Sequence, residues 1–542
     1  MNFERFFVNF PGENIQGEYD LIIVGSGVAG LTVALYAPSN LRVAVFSRGK
    51  LNDGSTYYAQ GGIAVALGPD DSVERHIQDT LSAGAGLNEK KIVEKTVTEG
   101  IERVEDLISL GFQFDKINGE LAFTKEGAHS RNRIIHSGGD ATGKELETAL
   151  IRIVSKRSNV KIFENYSLID LITNRDTVVG GAFLNSSNKV EIFLSRYFIL
   201  ATGGAGQIYR NTTNPEGIVG NGLSIALRAG ARLMDLEFYQ FHPTTLKVSL
   251  KQKFLISETV RSEGGVLINK YGERFMPRYS ELADLAPRDI VTRAILDEAK
   301  RTNGEIFLNL SPIGEDRIHE RFPTIYSTCK EFGFDITKAP IPIEPSAHYF
   351  MGGIETDEYG RTSLKNLFAC GEVACTGLHG ANRLGSNSLL ECLVFGKSCA
   401  DAILADSSTN RVVFDGSNRL TLAEYTNLSF DSYDIQQLMW DNAGIIRSRG
   451  GLEKAIETIE KWQREVRDLF SESKHFLELK NMLVTAYLMA YSALAREESR
   501  GAHYRLDFPD TDDKWLKHIV LDRDMGVIYR DVNTEVSFKR IC

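Results

Sequence analysis

Seven side chains, spread from residue 126 to residue 383, have the types and settings that chemistry needs. Glu126 lies in "TKEGAHSRNR", His242 in "FHPT", Glu258 and Arg261 three apart in "ETVR", Arg288 in "APRDIV", His348 in "EPSAHYFMGG" and Arg383 in "TGLHGANRLGSNS". Surface arginines need no setting of glycines and asparagines, so the place of Arg383, near His379, asks for a reason. A single histidine beside proline or glycine is more often structural. Jointly, two or three cations in cap and loop segments form a site for a small dicarboxylate, because the rigid fork of arginine matches a carboxylate with two hydrogen bonds. Glu258 and Arg261 can pair if their stretch is helical. Arg288 falls at a helix start, where the dipole disfavours its charge. Metal binding fits poorly: His, Cys and Glu fall at neither H-E-x-x-H nor paired C-x-x-C spacing, and no G-x-S-x-G elbow is present.

These residues need a frame, and the frame begins at a nucleotide site. In "YDLIIVGSGVAGLTVALYA", Leu21 to Val24 read as a buried parallel strand, and Leu31 to Ala37 as a helix. Between them Gly25 permits a tight turn, Gly27 lets backbone approach a pyrophosphate, and Gly30 lets helix pack on strand. "LRVAVFSRG" supplies a second strand, Leu41 to Phe46, but Ser47 and Arg48 stand where an acid would bind a ribose hydroxyl. That weakens an ordinary NAD reading. "GSTYYAQGGIAVAL", with Gly61 and Gly62, offers backbone N–H groups to a flat ring and phosphates. A strand at Tyr197 to Ala201 runs into Gly203 and Gly204, and "LKNLFACGEV" ends at Gly371 and Glu372. Glu372 is a candidate acid for a ribityl or ribose hydroxyl, so both ends of one domain hold one dinucleotide. The alternative for these glycines is sheet-edge turns.

Between about 240 and 350 short charged elements read as an insertion capping that domain, with Pro287 suiting the first turn of a helix from Arg288 to Ala299. Beyond about 408, apolar residues recur at three- and four-residue spacing, which predicts a helical domain. Trp440, Trp462, Met482 and Met489 read as packing residues there. "ESRGAHYRLDFP", Glu498 to Pro509, is a polar stretch able to pin the bundle to the rest.

The bulk numbers bound the rest. With 542 residues, two or three domains are expected. A net charge of −10 without a dense Lys/Arg run argues against nucleic acid. Six cysteines are too sparse for a disulfide scaffold and suit a reducing compartment, with Cys370 and Cys375 structural. The N-terminus has no signal-peptide pattern and no run suits a membrane span, so a cytoplasmic protein is expected.

The motifs together resemble a family. "GSGVAGL", "STYYAQGGIA", "EFYQFHPT", "APRDIV", "HYFMGGI" and "GLHGANRLGSNSLLE" are similar to the flavoprotein subunits of succinate dehydrogenase and fumarate reductase. "FTKEGAHSRNRIIH" and "TGLHGANR" favour their soluble relatives, the L-aspartate oxidases. The likeness runs from about residue 18 to Pro509, including "MWDNAGIIR". It implies an α/β FAD-binding domain of Rossmann type in two sequence segments (1–238 and 346–408), an inserted α+β capping domain (239–345) and a C-terminal helical domain (409–542).

The resemblance also implies FAD near Gly25, Ser26, Gly27, Ala29, Gly30, Ser47, Arg48, Ser55, Thr56, Gln60, Gly61, Gly62, Ala201, Gly203, Asn221, Glu372, Ser388 and Leu389. Arg383 and His348 resemble the pair that grips one substrate carboxylate, with His242 on the other, and Ser257 stands at a substrate contact. Arg288 resembles the proton-transferring arginine, Glu258 and Arg261 the relay that exchanges its proton, and Glu126 the acid facing the substrate ammonium. The implied reaction is oxidation of L-aspartate to iminoaspartate, the first step of de novo NAD biosynthesis. Oxygen or fumarate takes the electrons and quinolinate synthase the product. The alternative is a soluble fumarate reductase or a succinate dehydrogenase flavoprotein subunit. Three departures stand out. Ser55 holds the place of the histidine that tethers FAD in membrane-bound relatives, which implies non-covalent FAD. Asn221 replaces the acid of a common G-D-G, and Ser257 a threonine.

Overall fold

The computed structural model describes residues 3–8, 15–406, 423–424, 428–467, 469–471, 473–534 and 536. The domain boundary expected near 408 lies outside them.

The opening hydrophobic run becomes a strand, Ile15–Val24, in the middle of a seven-stranded sheet. It pairs in parallel with Val43–Ser47 on one side and Val190–Leu200 on the other. Both faces are covered, which is why the run does not alternate: Leu21 and Ile23 enter one core, Ile22 and Val24 the other. The helix after the glycines spans Val28–Tyr36. A Cβ on Gly30 would overlap the Gly25 carbonyl, so the third glycine serves helix-on-strand contact.

Val190–Leu200 is longer than the five residues expected and joins two parts of the chain. Residues 190–194 pair antiparallel with Thr177–Leu184, while residues 198–200 pair in parallel with Leu367–Ala369. The chain therefore leaves this sheet, forms an excursion, and returns to the same sheet beside its point of departure. That return carries Glu372 back to the glycine turns.

The excursion builds a four-stranded antiparallel sheet from Tyr239–Leu246, Ile341–Phe350, Ile306–Asn309 and Val266–Asn269, in that spatial order. It has its own core, including Leu246, Val260, Leu267, Phe275 and Ile295. The helix Arg288–Thr302 lies against the first strand, where Thr292 Oγ1 donates to the Phe241 carbonyl at 3.1 Å. Pro287 sits just ahead of the first turn and so withholds no hydrogen bond from the helix.

Three helices, Ser432–Ala443, Arg449–Val466 and Lys474–Ala495, follow. Trp462 stacks on Phe430 at 4.7 Å, Trp440 meets Phe241 edge-on at 5.9 Å, and Met482 and Met489 are buried. The polar stretch beyond them ties the bundle to the rest: Arg447 Nη1 donates to His503 Nδ1 at 2.7 Å, and Arg500 Nη1 to the Ala85 carbonyl at 2.8 Å. The tail after it is not helical, as the expectation for 409–542 had it. A hairpin, Lys517–Asp522 with Gly526–Asp531, joins a second sheet by pairing Val520 and Leu521 with Met234 and Leu233. Its two six-residue strands are too short to carry a helical period.

Among the described residues no helix is long and apolar enough to cross a membrane. No group of three or more His, Cys, Asp or Glu among them could hold a metal ion.

Candidate active site

A cavity of about 760 Å³ opens between the large sheet and the inserted domain. Its inner wall is the dinucleotide cradle. Gly25, Ser26, Gly27, Ala29, Ser47, Arg48, Ser55, Thr56, Gln60, Gly61, Gly62, Ala201, Gly203, Asn221, Glu372, Ser388 and Leu389 all line it. Of the expected cofactor residues Gly30 alone does not, because it faces the Gly25 carbonyl. Gly25 has φ +121°, and a Cβ there would overlap the Ala201 carbonyl, so the turn admits only glycine.

The wall fits FAD in its polar chemistry. Ser55 Oγ, Gln60 Oε1, Thr202 Oγ1 and Asn221 Oδ1 are buried without a partner in the protein, and all four residues line the cavity. Buried polar atoms are normally satisfied, so this set calls for a polar ligand. The helix at Val28–Tyr36 starts at this wall with no acid in its first turn, which suits a pyrophosphate. Burial pushes the Glu372 carboxyl up to about 7, against the N–H of Phe350, which it accepts at 2.9 Å. Arg48 has a partner the sequence did not suggest: its Nε donates to Glu478 on the helix Lys474–Ala495 at 2.7 Å.

The outer part of the cavity gathers Glu126, His242, Ser257, Glu258, Arg288, His348 and Arg383. Arg288, first residue of its helix, donates from Nε to Glu258 Oε2 at 2.6 Å and from Nη1 to Gln240 Oε1 at 2.9 Å. Glu258 begins a short helix, Glu258–Ser262, so Arg261 falls on its face, with Nη2 3.4 Å from Glu258 Oε1. Arg261 does not line the cavity; it continues away from it, donating to the Asp284 carbonyl. The result is a buried line from Arg288 through Glu258 to Arg261. Burial alone would raise the Glu258 carboxyl, but Arg288 and Arg261 hold it below the ordinary range.

Arg383 donates from Nη1 to Ser388 at 2.9 Å and lies over the Tyr349 ring at 4.1 Å. Burial and the neighbouring Arg288 lower it to about 10, so it remains a cation at neutral pH. His242 and His348 face each other with ring centroids 5.1 Å apart. Burial, then the surrounding cations, hold both far below the usual histidine range, so both are neutral. His242 Nδ1 accepts from the Thr244 N–H at 3.2 Å, which leaves its proton on Nε2 as a donor. His348 Nδ1 meets Thr213 Oγ1 at 2.9 Å.

Among the described residues gathered there, Glu126 is the one carboxylate outside the arginine line. It accepts from Ser386 Oγ at 2.8 Å and Thr259 Oγ1 at 3.4 Å. Burial and then Glu258 raise its pKa. Ser257 caps the short helix, its Oγ 3.1 Å from Thr259 Oγ1. Gln240, Tyr349, Thr259 and Ser386 complete the site without having been singled out. A signal for Gln240 existed: it stands two residues before His242 on one strand, hence on the same face.

A Rossmann-type FAD cradle opening onto a cationic pocket under an inserted domain defines a flavin-dependent oxidoreductase acting on small carboxylates. A family model described as "FAD binding domain" matches residues 20–389, and one described as "Fumarate reductase flavoprotein C-term" matches residues 432–540. An L-aspartate oxidase of Synechocystis sp. is 41% identical over 93% of this chain and 97% of its own length. One of Yersinia pestis is 42% identical over 91% and 96%. Among solved structures, E. coli quinol fumarate reductase FrdA superimposes with a TM-score of 0.88 at 31% identity, covering 97% of this chain and 99% of that one. The chain belongs to the L-aspartate oxidases of the succinate dehydrogenase and fumarate reductase flavoprotein family.

Proposed function

We propose that this chain oxidises L-aspartate to iminoaspartate with non-covalent FAD, and that the outer cavity is its substrate site. The observation that carries the reading is the position of Glu126: one buried carboxylate beside a cradle of two arginines and two neutral histidines. Cations and N–H donors suit the two carboxylates of a four-carbon diacid, and an acid among them suits an ammonium. Succinate carries nothing for Glu126 to meet.

FAD, when bound, supplies the hydride acceptor. The protein supplies orientation, which can be worth several orders of magnitude in rate. Arg383 and His348 hold one carboxylate, His242 Nε2 and Ser257 the other, and Glu126 the nitrogen. In the oxidative direction Arg288 acts through its charge. In the reoxidising half-reaction, with fumarate as acceptor, Arg288 gives a proton to one alkene carbon, and the hydride that the reduced cofactor would supply goes to the other. Glu258, touching both arginines, lets Arg261 restore it.

Oxygen or fumarate reoxidises the enzyme, and iminoaspartate passes to quinolinate synthase in NAD biosynthesis. We place the reaction in the cytoplasm, in keeping with five free cysteines among the described residues. Anaerobic mixing tests the reading: flavin absorbance should bleach on L-aspartate and far more slowly on succinate. Equal or faster bleaching on succinate would assign the chain to the dicarboxylate branch instead.

A further inference from the structure

The motif "FTKEGAHSRNRIIH" supplied Glu126, but its His129 and Arg133 remain outside the machinery described so far. Both are buried, at 3% and 0% exposure, which is unusual for residues in a hairpin loop. The loop runs between the strands Phe123–Thr124 and Ile134–Ile135.

Their hydrogen bonds are determined. Arg133 is gripped by Asp71, from Nε at 2.8 Å and Nη2 at 2.9 Å, and by Asp79 from Nη1 at 2.6 Å. Nη1 also lies 3.3 Å from His129 Nδ1. A guanidinium only donates, so Nδ1 is an acceptor and the proton sits on Nε2. That Nε2–H donates to the Gly385 carbonyl at 3.0 Å. Burial, then Arg133, hold His129 down to about 4, so one neutral tautomer persists at working pH.

The peptide it holds is the wall of the Glu126 pocket. A Cβ on Gly385 would stand 2.5 Å from Glu126 Oε2 and 3.2 Å from Arg288 Nη2. The next residue, Ser386, donates to Glu126 at 2.8 Å. Both sides of the contact are left-handed without being glycine, Ala128 at φ +65° and Ser386 at φ +62°. Such conformations persist where the surroundings over-determine them.

We propose that His129 is a positioning residue for the substrate ammonium: its ring ties the Glu126 loop to the Gly385–Ser386 peptide and so fixes where the Glu126 carboxylate points. This rests on the aspartate-oxidising reading given above. Arg383 does not depend on it, since Gln240 and Ser388 hold that side chain. A loss at His129 should therefore fall on aspartate and spare fumarate.

The test uses FAD-loaded enzyme and the variants H129L, H129N and H129Q. Aspartate turnover is compared with fumarate-driven reoxidation of chemically reduced enzyme. H129L should raise the aspartate KM about tenfold or more and leave the fumarate KM within about twofold. Glutamine can accept from Arg133 and donate to Gly385 together, so H129Q should return the aspartate KM to within about threefold of wild type. Asparagine is too short to span both and should behave like leucine, which keeps the test available if H129L fails to fold. Unchanged aspartate KM in H129L and H129N overturns the proposal. So do equal losses on both substrates without rescue by H129Q, the pattern of a merely structural residue. Wild-type enzyme that does not bleach on aspartate overturns the underlying reading as well, and that outcome is distinct.

Discussion

Arg288 and Arg383 share one acceptor: the amide oxygen of Gln240 takes a hydrogen bond from Arg288 Nη1 at 2.9 Å and from Arg383 Nε at 3.3 Å. Its amide nitrogen donates to Asn382 Oδ1 and to the Arg383 carbonyl, both at 2.9 Å. A neutral side chain thus holds two buried cations side by side without cancelling either. A carboxylate in its place would satisfy the same N–H groups but would compete with an anionic substrate. The choice of glutamine keeps the pocket positive.

Replacing Gln240 by leucine should leave N–H groups of both arginines unpaired, at a cost of about 1–3 kcal/mol for each buried group. Fumarate and aspartate should both lose affinity, by roughly tenfold or more. Substitution by glutamate should weaken dicarboxylate binding further while preserving the fold. Succinate binding, followed by quenching or perturbation of flavin absorbance, reads the series. Tighter binding in the glutamate variant would overturn this account.

Arg288 to leucine should abolish fumarate reduction, since general acid catalysis contributes about 10²–10⁴ in rate and, among the described residues, no other cation touches Glu258 from the cavity side. Near-normal fumarate turnover in that variant would refute the proton-donor role. Aspartate oxidation should fall less, because there the side chain serves through its charge.

Glu126 sets the choice between substrates. Burial first, then Glu258, raise its carboxyl above the ordinary range, while Arg288 and Arg383 oppose the shift. Below that raised value it is neutral and cannot balance an ammonium; above it, it is an anion. Aspartate kcat/KM should therefore climb with pH through this titration, and the step should vanish in E126Q. That variant should lose about two orders of magnitude or more on aspartate and little on fumarate. Paired pH profiles on the two substrates check it.

Much of the site was legible because its residues sit in locally constrained motifs. Gly25 had to be glycine at φ +121° against Ala201, and the strand before it had to be apolar on both faces. Glu258 and Arg261 met because a three-residue spacing on one helical turn makes neighbours. What was not legible depends on contacts between distant segments. Arg48 pairs with Glu478, and Gly385 is held by His129; no local spacing announces either. The terminal hairpin was missed because its pairing strand, Leu233–Met234, lies in the first sequence segment. Arg261 was expected at the site and stands one residue behind it, since a relay needs contact with Glu258 and not with the cavity.

Glu147 gives the last prediction, and it concerns stability. It lies on the helix Thr142–Val154, fully buried, and neither carboxyl oxygen has a hydrogen-bond partner. Burial, then the nearby Asp53 carboxylate, push it up to about 8. The folded state therefore keeps a proton that an unfolded glutamate releases near the ordinary value of 4.5. For a carboxyl shifted upward, stability falls as pH rises from the unfolded value toward the folded one, and the loss is complete above it. The full swing is on the order of 5 kcal/mol. Replacing Glu147 by leucine, similar in size and without a charge to bury, should flatten that part of the profile. The gain in thermal midpoint over wild type should be small near pH 5 and grow toward pH 8. Parallel profiles for wild type and E147L would show that Glu147 does not titrate in this window, and would remove the burial argument for it.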